Sequence, residues 1–403
     1  SDSVALTIMG LGTMVVALLL ASVCLVATVV SLRPSGMALH RVPAFSWSMF
    51  IAGVAWMLAL PLLLANLVII YADLRGRPAV DFGREAVMWE QVRWAFTAPQ
   101  VFVYAVPALG IAAEVVPVAA KVRQKFFPVI LGSIAAFAML GFGGYLQTAF
   151  AGGQAQAFFA DPSDRWNDGV VYMLQAAVLA LPVLILLGGL AGTLRRGRVR
   201  APQGWMAAGL LSALLLLVAA GLNLLRSVAW FEFLGTSMDS GVADAVLIVA
   251  LLGAAGGIFY WMPKLTGTKV ANGLGMLGTL ALLGGAALAG LPAMIAGMLD
   301  QPDFDTTQFV NASFEIKDEF EVLNLIGAIG FAIAAAGALL VLAEVARVSL
   351  AGDDDAGDDP WGGHTLEWST VSPPPLGNFA APVDAVMSES PLLDRREAAT
   401  EDA

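Results

Sequence analysis

Nine stretches of apolar residues, separated by short polar connectors, account for most of the chain. Each stretch is long enough to cross a hydrocarbon layer of about 30 Å. None shows the two-residue alternation of a strand, and only helices or closed barrels satisfy backbone groups in lipid. The pattern predicts an all-α, polytopic membrane helical bundle over residues 1–351, with spans at about 5–32, 43–72, 94–118, 126–151, 169–194, 203–231, 242–263, 270–299 and 322–350.

The composition agrees with this pattern, and it shows that the C-terminal end of the chain differs from the rest. Apolar residues make up 58% of the sequence and charged residues 13%, whereas soluble domains carry about 25% charged residues. Water-soluble globules, disordered chains and nucleic-acid-binding proteins are thereby excluded. Residues 352–403, the tail, hold 12 Asp and Glu against two Arg. We expect this acidic, Pro- and Trp-containing tail to form no core of its own and to lie extended across other surfaces.

The connectors differ in charge. Connectors 31–43, 118–127, 194–203 and 263–270 together hold 11 Lys and Arg and no Asp or Glu. The positive-inside rule places them in the cytoplasm. With nine spans, the N-terminus then lies outside a bacterial or archaeal plasma membrane and the tail is cytoplasmic. Since the chain starts at Ser1 without a signal-peptide pattern, we expect further sequence or a partner chain to precede it.

Metal-binding side chains are scarce. The only histidines are His40 and His364, which fall in a connector and in the tail, and the only cysteine is Cys24. An intramembrane haem or copper site built from imidazole or thiolate would find almost no ligands. The chain is therefore predicted to hold no metal centre of its own.

Ionisable residues within the spans are natural candidates for function. Glu114 and Glu344 fall near the cytoplasmic ends of the third and ninth spans. We expect them to meet lipid headgroups or the basic residues of 121–125 and 195–200, with proton handling as the functional alternative.

Two further patterns concern packing. Arg226 and Asp239 fall at the outer ends of neighbouring spans, which favours an ion pair over a partner contact. Small residues recur every four positions at Ala281, Gly285 and Ala289. Such faces let membrane helices approach closely, either within this chain or against another subunit.

Several strings identify a family. The most specific lie in the tail: Asp359-Pro360-Trp361, Thr365-Leu366-Glu367-Trp368 and Ser372-Pro373-Pro374-Pro375. The chain resembles subunit I of the haem–copper cytochrome c oxidases from that family's fourth helix to its twelfth. Trp361, Glu367 and Trp368 are candidate partner contacts. Other matching residues are Gly36, Met37, Arg41, Pro43, Phe45, Trp47, Trp94, Phe96, Pro99, Val101, Pro107, Gly110, Ile111, Leu140, Gly141, Phe142, Phe150, Tyr260, Trp261, Pro263, Thr266 and Gly267.

The resemblance fails where the family carries its chemistry. The sixth-helix His-Pro-Glu-Val-Tyr motif is matched by the string 98–102, which reads Ala-Pro-Gln-Val-Phe. The family's paired copper-binding histidines, its haem-binding His-Phe-His, a proton-path lysine and two propionate-binding arginines are also replaced. The ten positions, here called the lost-ligand positions, are Ala98, Gln100, Phe102, Gln147, Thr148, Leu186, Gly241, Ala243, Ala293 and Met294. Gln100, Gln147 and Thr148 could hydrogen-bond one another in place of a metal, or simply satisfy backbone carbonyls.

Two functional hypotheses follow. The first is a non-catalytic, cofactor-free relative of oxidase subunit I that acts as a structural or assembly subunit of a membrane respiratory oxidase complex. Its partners would be other oxidase subunits, including a catalytic subunit I or a chain that supplies the missing first helices, and lipid could fill the former haem space. The second is a transporter or channel that reuses the scaffold, although few intramembrane charges and no inverted repeat support it.

Overall fold

The computed structural model describes residues 2–76, 101–141, 162–199, 202–228, 231, 233, 235–303, 318–351, 356–379 and 382–401. Within these ranges the chain is built from helices. They are α1 (Asp2–Ser31), α2 (Ala44–Leu74), α3 (Val101–Tyr104), α4 (Val106–Ala120), α5 (Phe127–Gly141), α6 (Pro162–Leu194), α7 (Gly204–Arg226), α8 (Met238–Thr266), α9 (Asn272–Met298), α10 (Asp318–Ala351) and α11 (Pro391–Glu401), with short 3-10 turns at Leu39–Arg41 and Leu366–Ser369.

The predicted all-α membrane fold is confirmed. With α3 and α4 taken together, eight helices in the described ranges are long and apolar enough to cross a membrane. The predicted fourth span begins as α5, and its remainder lies outside the described residues. Helix α6 begins at Pro162, before the span predicted at about 169–194, and its apolar part covers Met173–Leu194. Hydropathy locates the lipid-facing part of a helix but misses the polar turns that extend it.

Helix α4 lies at the centre of the bundle. It packs against α2, α6, α7 and α8, and 89% of the span formed by α3 and α4 is buried within the protein. Its short side chains allow this: Ala108, Gly110 and Ala112 are buried at helix contacts. In contrast, α1 packs mainly along α2, and only Ala5, Ile8 and Val15 of its residues are buried.

The small-residue repeat of α9 packs within the chain. An ideal Cβ on Gly285 would lie 2.6 Å from the backbone nitrogen of Ala334 in α10. Gly337 of α10 faces Ala281 in the same way, and Gly330 meets the backbone of Ala289. Backbone contact of this kind supplies van der Waals attraction where lipid removes the hydrophobic drive. The interpretation of the repeat as internal packing is therefore correct.

The tail crosses one end of the bundle and joins connectors there. The Ala356 amide donates to the Gly267 carbonyl at 3.0 Å, and the Val386 amide donates to the Ser35 carbonyl at 2.8 Å. We call this end of the bundle the tail side. The tail lies across other surfaces as expected, but it is not extended throughout, because it contains α11 and the turn Leu366–Ser369. Its apolar side chains are buried against a connector: Leu366 and Val386 of the tail form one buried cluster with Met37 and Val42.

Candidate functional site

The lost-ligand positions are divided between described and undescribed parts of the chain. Phe102, Leu186, Gly241, Ala243, Ala293 and Met294 lie in the described ranges. Ala98, Gln100, Gln147 and Thr148 lie outside them. The hydrogen-bond network expected of Gln100, Gln147 and Thr148 therefore stays a prediction.

Gly241 lies at a close contact between α8 and α9. An ideal Cβ on this residue would lie 3.0 Å from the Gly290 carbonyl oxygen and 3.0 Å from Cγ of Met294. Met294 is buried, and the neighbouring Ala293 carbonyl accepts a hydrogen bond of 2.8 Å from Ser237 Oγ. Two positions that the resemblance assigns to haem binding, Gly241 and Met294, thus contact one another. The space for a side chain at Gly241 is already filled.

Of the positions assigned to the copper centre and the proton paths, the two in the described ranges, Phe102 and Leu186, belong to the apolar core. Phe102 is buried and meets Phe137 edge-on, with ring centroids 6.1 Å apart. Leu186 of α6 is fully buried in the same hydrophobic cluster. Close packing of this kind excludes water, so these two side chains offer no polar step for a proton.

The side chains at the lost-ligand positions in the described ranges do not fit the metal centre that the resemblance implies. Glycine, alanine, leucine and phenylalanine carry no atom that ligates iron or copper. In the described ranges, no three His, Cys, Asp or Glu side chains are grouped closely enough to hold a metal. His40 is exposed in the turn Leu39–Arg41, and His364 lies in the tail.

On the tail side, aromatic residues of the tail pack against the ends of α7 and α8. Trp361 Nε1 donates to the Tyr260 carbonyl at 2.9 Å, and its ring lies 5.3 Å from that of Trp205. Trp368 is 2% exposed and meets Tyr260 edge-on at 5.1 Å between centroids. The tail is thus anchored by two tryptophans in a pocket that α7 and α8 provide.

Glu367 binds to the same helix end. Its Oε1 accepts hydrogen bonds from Trp261 Nε1 at 3.1 Å and from Thr365 Oγ1 at 2.8 Å. The three residues predicted as partner contacts, Trp361, Glu367 and Trp368, are therefore engaged within the chain.

Glu114 lies beneath the tail rather than beside a basic connector. The residue is 6% exposed, and its Oε2 accepts a hydrogen bond of 3.4 Å from the Phe45 amide. Thr365 and Glu367 of the tail lie close to this carboxyl group, and Glu367 is near enough to repel it electrostatically. The expected contact with 121–125 or 195–200 was wrong, because the tail covers this carboxyl group first.

Arg123 joins the connector between α4 and α5 to helix α11. Its guanidinium contacts Glu389 at 3.3 Å, Glu397 at 3.2 Å, and Asp394. These hydrogen bonds, chiefly that to Asp394, raise the pKa of Arg123 above its ordinary value. Lys121 on the same connector donates to the Trp361 carbonyl. Three acidic side chains of the tail thus hold it on the connector between α4 and α5.

His364 is buried among cations in the tail. It is 4% exposed, and burial together with Arg396 and Lys121 lowers the pKa of its imidazole to about 4. The docked tail therefore holds this histidine neutral, whereas a released tail returns it to an ordinary pKa near 6.5.

We predict that acidification loosens the tail. Because the docked pKa lies below the released one, docking is strongest above pH 6.5 and loses up to about 3 kcal/mol as the pH falls to 4. Hydrogen-exchange protection of tail amides, corrected for intrinsic rates, should fall between pH 7.5 and 5. A His364→Gln variant should lose most of this dependence, and an unchanged pH profile in that variant would contradict the assignment.

The predictions for two other sets of ionisable residues have different outcomes. Arg226 and Asp239 form the predicted ion pair, at 2.6 Å. Glu344 does not reach the basic residues of 121–125 or 195–200. It binds Arg347 one turn along α10 at 2.7 Å and accepts from the Ala271 amide at 2.8 Å. This pair could have been predicted from the sequence, because residues three positions apart, such as Glu344 and Arg347, are neighbours on a helix.

Comparison with known proteins places these features in a family. The sequence profile described as cytochrome c and quinol oxidase polypeptide I matches residues 2–333. A putative cytochrome c oxidase subunit 1-beta of Streptomyces coelicolor is 29% identical over 96% of this chain and 65% of its own length. Cytochrome c oxidase subunit 1 of Bacillus subtilis is 28% identical over 93% of this chain and 58% of its own length.

The chain therefore spans less than two thirds of these curated relatives. A solved haem–copper terminal oxidase dimer aligns with a TM-score of 0.41 and 13% identity, over 86% of this chain and 83% of that one. The helices and the relatives together indicate an integral protein of a bacterial membrane. The chain belongs to the cytochrome c and quinol oxidase polypeptide I family.

Proposed function

We propose that this chain is a non-catalytic, cofactor-free member of its family, acting as a structural or assembly subunit of a membrane respiratory oxidase complex. The observation that carries the proposal is the contact at Gly241, where α9 occupies the space that a ligating side chain would need. Side chains such as Met294 and Phe102 fill the positions of former ligands, and lipid fills what remains of the haem space.

Retention of the tail supports a structural role. The Trp361 and Trp368 contacts and the three carboxylates around Arg123 give the tail side a fixed surface. A chain that has lost its ligands while keeping this surface is one whose shape is used by partners. We propose other oxidase subunits as those partners, including a catalytic subunit I or a chain that supplies the family's first helices.

The transport alternative gains no support from the described residues. Glu114 and Glu344 lie at the tail side and are satisfied by local hydrogen bonds. Phe102 and Leu186, at positions that the resemblance assigns to the copper centre and a proton path, are buried among apolar side chains.

The assembly role is tested by deletion. A strain without this chain should lose most of its assembled oxidase complex on native gels of membranes, and the wild-type chain should restore it. A variant with alanine at Arg123, Trp361 and Trp368 should restore it poorly. Normal abundance of the complex in the deletion strain would contradict the assembly role.

We also propose that the tail side is cytoplasmic, since its connectors hold the basic residues. In a Cys24→Ser background, Arg75→Cys is expected to react with an impermeant maleimide on intact spheroplasts. Thr400→Cys should react only after the membrane is opened. Reaction of both, or of Thr400→Cys alone, on intact cells would overturn this orientation.

A further inference from the structure

The tail neutralises only part of the basic surface around it. Lys121 and Arg123 contact the tail directly. Lys125, Arg195, Arg196 and Arg198 lie on two adjoining connectors of the same side and form no ion pair with any carboxylate in the described part of the chain. We call these four residues the basic patch. Such a concentration of positive charge attracts anions from outside the chain.

The basic patch is built by contact between two connectors. The Lys125 amide donates to Thr193 Oγ1 at 3.0 Å, and the Arg198 amide donates to the Ala120 carbonyl at 3.2 Å. The Lys125 side chain lies along α6, with its Cδ 3.1 Å from the ideal Cβ position of Gly192. Since Arg195 and Arg196 follow Gly192 by three and four residues, the lysine lies within one helical turn of them. These hydrogen bonds hold together the two connectors that carry the four cations.

Exposed apolar side chains adjoin the cations. Phe126 is 59% exposed and Val129 50% exposed at the start of α5. Lys125 Nζ lies 4.6 Å from the centroid of the Phe126 ring. An aromatic ring beside a cation at the end of a membrane helix is typical of the lipid interface, where the ring enters the headgroup layer and the ammonium stays in water.

We propose that the basic patch binds the headgroup of an anionic phospholipid, with Phe126 and Val129 against the upper part of its acyl chains. The phosphate meets the guanidinium groups of Arg195 and Arg196, which suit its geometry, and Lys125 closes the site from the opposite connector. Basic pockets between membrane helices bind lipid headgroups in this manner. The apolar neighbours favour a lipid over a free phosphate or an acidic peptide, neither of which would cover Phe126 and Val129. This site is independent of whether the chain carries a redox centre.

Native mass spectrometry of the full chain in detergent tests this site, with phosphatidylglycerol and phosphatidylcholine of matched acyl chains as probes. We expect phosphatidylglycerol to bind more tightly to the wild-type chain. An Arg195→Gln/Arg196→Gln variant should bind it on the order of tenfold more weakly, since each cation near an anionic surface contributes about fivefold at most. The matched control is Arg41→Gln/Arg395→Gln, which removes two positive charges from the same side and should bind as the wild type does.

The other outcomes overturn the proposal. Equal affinity for the two lipids, equal loss in both variants, or full binding by Arg195→Gln/Arg196→Gln would each contradict a site at the patch. Displacement of the lipid by millimolar inorganic phosphate would indicate a free-anion site, and displacement by polyglutamate would indicate an acidic protein partner. The Arg195→Lys/Arg196→Lys variant should retain the preference for phosphatidylglycerol, which separates loss of charge from loss of folding.

Discussion

A Gly241→Leu variant is expected to unfold with a free energy about 3 kcal/mol below that of the wild-type chain. The Cβ alone would lie 3.0 Å from the Gly290 carbonyl oxygen and from Met294, so the rest of a leucine has no room. Overpacking in a close-packed interior costs about 1–3 kcal/mol, and here one of the neighbours is backbone that cannot rotate away. Denaturation of the purified chain in detergent, followed by near-ultraviolet circular dichroism, measures the loss.

The matched control is Gly284→Leu. Gly284 lies on α9, and an ideal Cβ there meets no atom within 4 Å. This variant should lie within about 0.5 kcal/mol of the wild type, as surface substitutions generally do. If Gly241→Leu proved as stable as Gly284→Leu, the contact between α8 and α9 would be looser than we describe.

Replacing Trp368 with alanine is expected to release the tail. The ring is 2% exposed and packs on Tyr260, and removing a fully buried aromatic side chain costs about 3–5 kcal/mol. Because the tail is held by few such anchors, most of that cost falls on docking rather than on the membrane helices. Hydrogen exchange at the amides of 361–370 should accelerate by two orders of magnitude or more, since each 1.4 kcal/mol corresponds to a factor of ten.

Leu376→Ala is the control within the tail, because that side chain is fully exposed. Exchange should be unchanged in this variant. Unchanged protection in Trp368→Ala as well would show that the ion pairs of Arg123, rather than the tryptophans, hold the tail.

The fold could be predicted from the sequence because each membrane helix appears as a long stretch of high hydropathy. Lipid requires each span to satisfy its own backbone, so helix position follows from local composition. The packing of α9 against α10 was likewise predicted correctly from the Ala281–Ala289 repeat, because helices can approach closely only where their residues are small.

The contacts of ionisable residues could not be predicted in the same way. Glu114 was expected to meet lipid headgroups or the basic residues of 121–125 and 195–200, yet its neighbours include Thr365 and Glu367, about 250 residues further along the chain. The structure of the tail was missed for the same reason. Helices α7 and α8 bury Trp368 and cover part of Trp361, and no local pattern connects these helices to the tail.

For the lost-ligand positions, sequence and structure contribute different information. The sequence shows which ligands are replaced, because Gly241 and Ala243 carry no donor atom. Only the structure shows that Gly290 and Met294 close on Gly241 from α9. The second observation is physical support for a chain that binds no haem at this point, beyond the missing side chain itself.

The central claim is tested most directly by a reduced-minus-oxidised difference spectrum of the purified full-length chain, with iron and copper measured in the same sample. We predict no haem absorption bands and far less than one iron or copper per chain, with the helical circular dichroism spectrum of a folded protein. Haem or copper bound in a one-to-one ratio by this polypeptide would contradict the claim that its ligand positions have been closed by packing.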